Sequence, residues 1–246
     1  MLTSWARKSG LALAAATLAL PGIAAAGIVV GSSGPSAAKY PVGSKVDDNA
    51  TITLKDGDSV TVMVKGSTRA LRGPGTVKVS GIGGSSRIST FNALVKPRGA
   101  TRVRPGAVRN AGDEGKPRSP NLWYLTAGQV GTFCIVDPET IRLWRPDITA
   151  SASYRIANLE GVAMTVEFPE GEMLAAWDGQ TLPVTDGARF MVEKTGSADN
   201  SLTFAVLTEM PETPEAAATA LIEKGCTNQL TLLSDTLAVH DSASSW

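Results

Sequence analysis

Short strands separated by glycine turns are predicted over residues 51–79, and this pattern constrains the fold more than any other feature of the chain. Ile52 and Leu54 lie two residues apart, as do Val60, Val62 and Val64, so each set shares one face of a strand. Turn residues separate these segments at Asp56-Gly57-Asp58, Gly66-Ser67 and Gly73-Pro74-Gly75. The stretch therefore predicts a small β-roll or β-sandwich.

The first 26 residues have the pattern of a secretory signal peptide. Two basic residues precede the apolar run LALAAATLAL, and Ala24-Ala25-Ala26 provides an A-x-A cleavage site. Cleavage after Ala26 starts the mature chain at Gly27 and predicts a periplasmic or secreted protein. The alternative is an uncleaved anchor, because residues 11–30 number about 20, which is the length that a spanning helix needs. Membrane contact is expected only in that alternative.

Charge is balanced over the whole chain, with 23 basic and 23 acidic residues, but it is unevenly distributed. Residues 27–120 carry 15 Lys/Arg and six Asp/Glu, a net charge of +9, whereas residues 121–246 carry six and 17, a net charge of −11. A basic face for an anionic partner and mutual docking of the two parts both explain this gradient.

Both cysteines, Cys134 and Cys226, lie in the predicted exported part, where a pair is normally oxidised. We predict that they form a disulfide, which would stabilise the fold by on the order of 4 kcal/mol for a loop of roughly 90 residues. No C-x-x-C motif is present, and the single histidine is His240. A redox or metal-binding role is therefore not expected, and we predict no cofactor.

The β-rich region contains Val42-Gly43, the Asp56-Gly57 turn, the alternating valines and the Gly73-Pro74-Gly75 turn in that order. This order resembles the FecR-like periplasmic domain over residues 40–80. The resemblance implies an envelope module of signalling or surface proteins. Because no cytoplasmic domain precedes the apolar segment, we do not expect a role in sigma-factor signalling.

Residues 81–121 lose the strand pattern and become rich in glycine, proline and basic residues. We interpret them as a linker, and Arg98, Arg102, Arg104 and Arg109 are its candidate contacts for an anionic partner such as a cell-wall polymer. Nucleic acid is not an expected partner, because no aromatic residue lies between 99 and 120 to stack on bases.

From residue 122 the strand pattern returns with more aromatic residues and with turn signals such as Asp137-Pro138. The predicted strands are 123–125, 132–136, 141–144, 154–159, 162–168, 173–177, 182–184, 188–193 and 202–207. Seven to nine short strands in about 90 residues predict an antiparallel sandwich that resembles immunoglobulin and fibronectin modules. Trp123, Trp144 and Trp177 are interpreted as core residues or, alternatively, as an aromatic platform for a polysaccharide.

One clear helix is predicted over residues 211–225. Thr213 is a suitable N-cap, Pro214 suits the first helical position and Gly225 is the expected stop. A second helix is indicated over 228–237. The predicted segments are a signal peptide (1–26), a flexible lead-in (27–39), a FecR-like module (40–80), a basic linker (81–121), a sandwich (122–210), a helical segment (211–237) and a loose tail (238–246).

Catalytic machinery is not indicated. His240 is a poor triad base because it lies near the chain end. The acidic residues of the sandwich fit exposed strand faces and turns better than a glycosidase pair: Glu160, Glu167, Glu170, Glu172, Asp178 and Asp186. The pairs Asp47-Asp48 and Asp56-x-Asp58 lack the further oxygen ligands of a calcium loop.

We therefore predict a non-enzymatic exported protein that acts as a protein-interaction or scaffold module of a bacterial envelope, with another envelope protein as its partner. A cell-wall or polysaccharide binder is the first alternative. A membrane-anchored sensor that resembles FecR regulators is the second.

Overall fold

A computed structural model describes residues 25–47, 49–82, 86–96, 118–194 and 200–239. The fold is mostly β, as predicted, with two sandwich-like regions and a helical pair near the C-terminus. The strands are β1 (Ala25–Ser33), β2 (Lys45–Asp47), β3 (Thr51–Leu54), β4 (Ser59–Val64), β5 (Ser67–Arg72), β6 (Gly75–Lys78), β7 (Tyr124–Thr126), β8 (Gly131–Ile135), β9 (Arg142–Trp144), β10 (Ala152–Asn158), β11 (Ala163–Phe168), β12 (Leu174–Ala176), β13 (Arg189–Lys194) and β14 (Asn200–Val206). The helices are α1 (Ile88–Val95), α2 (Pro214–Glu223) and α3 (Thr227–Thr236), and a short 3-10 helix covers Val79–Gly81.

The N-terminal β region contains a four-stranded sheet, in the order β2-β1-β4-β5, and a two-stranded sheet of β3 and β6. The two predicted strand faces are confirmed, because Ile52 and Leu54 share one buried core with Val60, Val62 and Val64. The pairing differs from a simple ladder, since β3 pairs with β6 while β4 pairs with β1 and β5. The Asp56-Gly57 turn thus carries the chain from one sheet to the other.

The predicted flexible lead-in is wrong for residues 27–33, which belong to β1 inside the four-stranded sheet. Val29 faces the core that the two sheets share, whereas Ile28 and Val30 face the opposite side. Gly27 is required here, because a Cβ at this position would lie 2.8 Å from the Met63 carbonyl oxygen. The residues that follow Val30 are small and polar, so this part of the sequence resembles a loop and not a strand.

The C-terminal β region is a sandwich of a five-stranded sheet, β11-β10-β13-β14-β8, and a three-stranded sheet, β12-β9-β7. Both sheets are mixed, since β14 pairs with β8 and β7 pairs with β9 in parallel. The predicted all-antiparallel arrangement therefore fails at these two pairs. The predicted strand at 182–184 is also wrong, because that segment is irregular although Leu182 and Val184 are buried.

A helical layer connects the two β regions. The predicted linker 81–121 contains α1, whose Phe91 and Leu94 are buried in the same core as Met63 of β4. That core also contains Leu221 of α2, Leu233 of α3 and, from the sandwich, Cys134, Ala205 and Leu207. The helical segment therefore packs on both β regions and does not belong to the sandwich alone.

Both predicted C-terminal helices form, with bounds that differ by one to three residues from the predicted 211–225 and 228–237. The Thr213 side chain accepts a hydrogen bond from the Ala216 N–H at 3.2 Å, and Gly225 takes a positive φ of 73° after α2. Glu215 in the first turn accepts a hydrogen bond from Gly66 N–H at 2.6 Å, which ties α2 to the β4–β5 turn. Among the described residues, no helix has both the length and the apolar character needed to cross a bilayer.

Candidate functional site

The main candidate site is a cleft of about 890 Å³ between α3 and the turn that joins β7 to β8, which we call the α3 cleft. Two other hollows on the described surface are smaller, at about 550 and 400 Å³. The α3 cleft lies within the size range of sites that bind small molecules or peptide side chains. Its apolar lining residues are Leu122, Tyr124, Ala127, Val130, Phe133, Trp144, Pro146 and Leu232.

The first wall of the cleft is α3, which the sandwich holds firmly. Cys226 at the helix N-terminus forms the predicted disulfide with Cys134 of β8. Gln229, one turn later, accepts a hydrogen bond from Cys134 N–H at 2.6 Å and donates to the carbonyls of Cys134 and Leu122, both at 2.9 Å. The Gln229 amide thus takes the place of a further strand at the edge of β8, so this edge is closed to strand addition.

The second wall is the β7–β8 turn, residues 127–130. Its backbone is fixed at both ends, because Ala127 N–H donates to the Trp144 carbonyl at 2.7 Å and the Asn228 side chain of α3 donates to the Val130 carbonyl at 3.2 Å. Gly128 allows the turn through its φ of 80°. Val130 remains 45% exposed at the mouth of the cleft.

Two hydrogen-bond donors of the cleft residues have no protein partner. Within the part of the chain that the structure describes, the indole N–H of Trp144 donates to no group, although Trp144 is only 2% exposed. The side-chain amide nitrogen of Gln129 is likewise buried without a partner. Buried donors are almost always paired in folded proteins, so two unpaired donors in one cleft are an unusual feature.

Charged groups at the rim of the cleft are already paired within the chain. Arg118 forms an ion pair with Asp235 of α3 at 2.8 Å. The Asp147 carboxylate accepts hydrogen bonds from the Thr149 N–H at 3.0 Å and the Thr149 hydroxyl at 2.7 Å. The cleft therefore combines apolar walls with polar rim groups that have partners within the chain.

The predicted aromatic platform does not form. Trp177 is 6% exposed, lies in the sandwich core and donates its indole N–H to the Leu182 carbonyl at 2.7 Å. Trp144 is buried beside Tyr124 and Met173, and Trp123 packs against the helical layer. The core interpretation is confirmed for Trp144 and Trp177, because both indoles fill interior space that a sugar ring cannot reach.

The candidate anionic-partner contacts Arg98, Arg102, Arg104 and Arg109 lie outside the described residues, as does His240. Cys134 and Cys226 are the sequence-predicted site residues that the structure brings together. Among the described residues, no cluster of three or more His, Cys, Asp or Glu side chains could hold a metal ion.

Three of the acidic residues considered for catalysis or calcium binding have structural partners: Asp58, Asp178 and Asp186. Hydrogen bonds from the side chain and backbone of Thr181 and from Gln180 N–H lower the pKa of Asp178, and a hydrogen bond from Val206 N–H lowers the pKa of Asp186. Burial raises the pKa of Asp58, but hydrogen bonds from Ser36 and Lys55 outweigh it and hold the pKa below the ordinary value. Asp178 and Asp58 thus cap turns, whereas Asp186 binds the backbone of Val206.

Sequence reasoning missed the cleft and the two residues that shape its surroundings, Gln229 and Arg145. The buried Arg145 guanidinium donates to the carbonyls of Glu172, Ala150 and Pro169 at 2.6 to 2.8 Å, so it fastens two loops at one end of the sandwich. A lone glutamine or arginine in an amphipathic pattern resembles a surface residue. No signal in the sequence distinguishes these two from exposed ones.

Comparison of the chain with protein-family models, with curated protein sequences and with solved structures yields no match. Functional inference therefore rests on the residues of this chain.

Proposed function

We propose that this chain is an exported, non-catalytic interaction module of a bacterial envelope, and that it contacts its partner protein at the α3 cleft. The supporting observation is the apolar lining of the cleft, with Val130 45% exposed at its mouth. A partner that covers this lining would remove apolar surface from water.

Export with removal of the leader is the part of the proposal that β1 supports. The alternative anchor requires residues 11–30 to cross the membrane, but β1 takes Ala25–Ser33 into the sheet. The 14 residues from 11 to 24 are fewer than the roughly 20 that a spanning helix needs. Mass spectrometry of the protein recovered from cells should find Gly27 at the mature N-terminus, and an intact N-terminal segment would favour the anchored sensor.

The FecR-like resemblance stays a proposal, and the turns of the N-terminal region support it. Gly43 and Gly57, which belong to the matching pattern, both take positive φ values, 90° and 77°. Only glycine adopts such a backbone without strain, so the matching positions coincide with conformational requirements.

Site-specific photocrosslinking in cells tests the interaction function. A benzophenone side chain replaces Val130, which is 45% exposed in the cleft, and a matched control replaces Leu159, which is 65% exposed on the β10–β11 turn. We expect a discrete protein adduct from position 130 and none from position 159. Adducts of equal yield at both positions, or none at either, would contradict the proposal.

A further inference from the structure

We propose that the leader is removed only while β1 is unpaired, because the folded chain encloses the Ala26–Gly27 peptide bond and keeps it from a signal peptidase. This inference rests on the proposed export with removal of the leader. It adds the order of two events: cleavage comes first, and incorporation of β1 into its sheet comes second.

The predicted cleavage site lies inside a central strand. β1 begins at Ala25, before the scissile bond, and it lies between β2 and β4 in the four-stranded sheet. Gly27, directly after the bond, lies opposite Val46 of β2 and opposite Val64 of β4. Ala25 also pairs with β2. Backbone pairing therefore holds the chain both immediately before and immediately after the bond.

The two faces of β1 are covered as well as its edges. Val29 is buried in the core between the two sheets of the N-terminal region, whereas Ile28 and Val30 are buried against the helical layer. Gly27 is itself buried, and a Cβ there would lie 2.8 Å from the Met63 carbonyl oxygen. Because Ile28 is already a core residue, no exposed spacer separates the bond from the core.

Hydrolysis at this site requires the chain to leave the sheet. The water oxygen bonds to the Ala26 carbonyl carbon, the carbon–nitrogen bond breaks, and the Gly27 nitrogen takes both water protons and becomes the new ammonium group. A peptidase reaches that carbonyl when the residues on each side lie extended in its own groove, but β2 and β4 occupy both edges of this strand. Cleavage of the folded chain therefore depends on the fraction of molecules in which β1 is open.

The leader does not oppose the folding of β1. Ala25 belongs to the leader and pairs with Asp47, so an uncleaved chain forms one residue pair that the mature chain lacks. A chain that folds before it is cleaved therefore keeps its leader. Whether the mature or the uncleaved form accumulates is decided by which event comes first.

The order of addition to a purified bacterial signal peptidase gives the direct test. The full chain with its leader is purified in urea with its disulfide reduced. One portion is diluted straight into the enzyme in non-ionic detergent, and a second is refolded and oxidised in that detergent before the enzyme is added. By mass spectrometry, the first portion should give a product that starts at Gly27, and the second should be cut roughly 100-fold more slowly. Equal rates would overturn the inference.

An inserted spacer separates the position of the bond from folding as such. A flexible Gly/Ser spacer of about eight residues between Ala26 and Gly27 moves the bond out of the sheet and leaves the strand from Gly27 onward unchanged. Circular dichroism confirms that this variant is folded. We expect the refolded spacer variant to be cut as fast as the unfolded parent. Resistance equal to that of the refolded parent would show that the sheet is not the cause, and the inference would be wrong.

Two glycines of β1 provide a matched pair of substitutions. Gly27→Ala places a Cβ against the Met63 carbonyl oxygen and loosens the strand, so the ratio of unfolded to refolded cleavage rates should fall roughly tenfold. Gly31→Ala meets the Thr61 side chain at 3.4 Å, an ordinary contact, and should keep the ratio of the parent. The ratio corrects for any effect of the new side chain on recognition by the enzyme. Equal ratios for the two variants would contradict the enclosure of the bond at Gly27.

Failure of this inference differs from failure of the proposed export. If neither the unfolded nor the refolded chain is cut after Ala26, removal of the leader is itself wrong and the inference fails with it. If both are cut alike, removal of the leader stands and only the proposed order of cleavage and folding is wrong.

Discussion

The N-terminal β region and the C-terminal sandwich build their cores from different side chains. The first core is aliphatic, with Tyr40 as its aromatic member. The second contains six aromatic residues, and Trp177 lies at its centre with ring centroids 5.1 Å from Phe190 and 5.2 Å from Phe204. Aromatic rings and aliphatic side chains together fill the sandwich, whereas the valine-rich sheet forms a smaller core.

The smaller core explains why the N-terminal sheet uses both of its faces. Val29 and Val62 face the small aliphatic core, while Ile28 and Met63 face the helical layer. The sandwich joins that layer through Cys134 of β8 and Ala205 of β14. We therefore expect the N-terminal region to depend on the helices for its stability, and the sandwich to depend mainly on its own core.

Replacing one buried phenylalanine in the helical layer and one in the sandwich is the strongest test of this dependence. Phe91→Ala in the helical layer and Phe168→Ala in the sandwich should each lower the free energy of unfolding by about 3–5 kcal/mol, because both rings are buried. In hydrogen exchange, Phe91→Ala should expose β1 and β4, whereas Phe168→Ala should leave them protected. Loss of protection in β1 and β4 by both variants alike would show that the regions are not distinct.

Loss of the disulfide is expected to have the next largest effect on stability. Its removal by Cys226→Ser should lower the free energy of unfolding by about 2–4 kcal/mol, since the bond closes a loop across 92 positions. Urea unfolding of the variant, with the reduced parent as control, measures this loss. A midpoint equal to that of the oxidised parent would contradict a stabilising role.

The hydrogen bonds of Gln229 to the edge strand β8 should contribute less to stability than the disulfide. Gln229→Leu leaves the N–H and carbonyl of Cys134 without their partner, so we expect a loss of about 1–3 kcal/mol. Gln180→Leu, on an exposed turn, is the matched control and should be nearly neutral. Equal stability of the two variants would mean that water replaces the Gln229 amide at no cost.

Loss of stability at acid pH is the smallest expected effect. It concerns the N-terminal region, where the Asp58 carboxylate is buried. The pKa of Asp58 is lower in the folded protein than the unfolded value of about 3.9, so its stabilisation is present above that pH and is lost as the pH falls through the folded pKa. Asp58→Asn should therefore reduce stability at pH 7 and flatten the decline below pH 4. Thermal unfolding between pH 2 and 7 tests this, and an unchanged slope would contradict it.

Local signals in the sequence were sufficient for much of the fold. Alternation placed Ile52, Leu54 and the valines on buried faces, and Thr213, Pro214 and Gly225 marked the ends of α2. The export context of Cys134 and Cys226 indicated their bond. Each of these predictions depends on neighbouring residues or, for the disulfide, on the predicted compartment.

Features set by distant residues were not predictable. The parallel pairing of β8 with β14 joins segments about 70 residues apart, and apolar periodicity is the same for either direction of pairing. The α3 cleft exists because Gln229 and Cys226 fix the helix on β8. The disulfide was predictable, but Gln229 carries no local sign of its contact with β8. The FecR resemblance and the envelope function stay predictions.

The position of α3 has a consequence for the order in which the chain can fold. The carbonyl of Leu237 and the N–H of Val239, just after α3, bond to Thr68 at the outer edge of β5, and the helix also packs near β1. The first described strand and the last described helix therefore complete one core, although about 200 residues separate them. Contacts of such long range slow folding. Under the proposed export, the edge of β5 and the apolar face of β1 stay uncovered until nearly all of the chain has left the secretion channel, so we expect the protein to need chaperone protection during translocation.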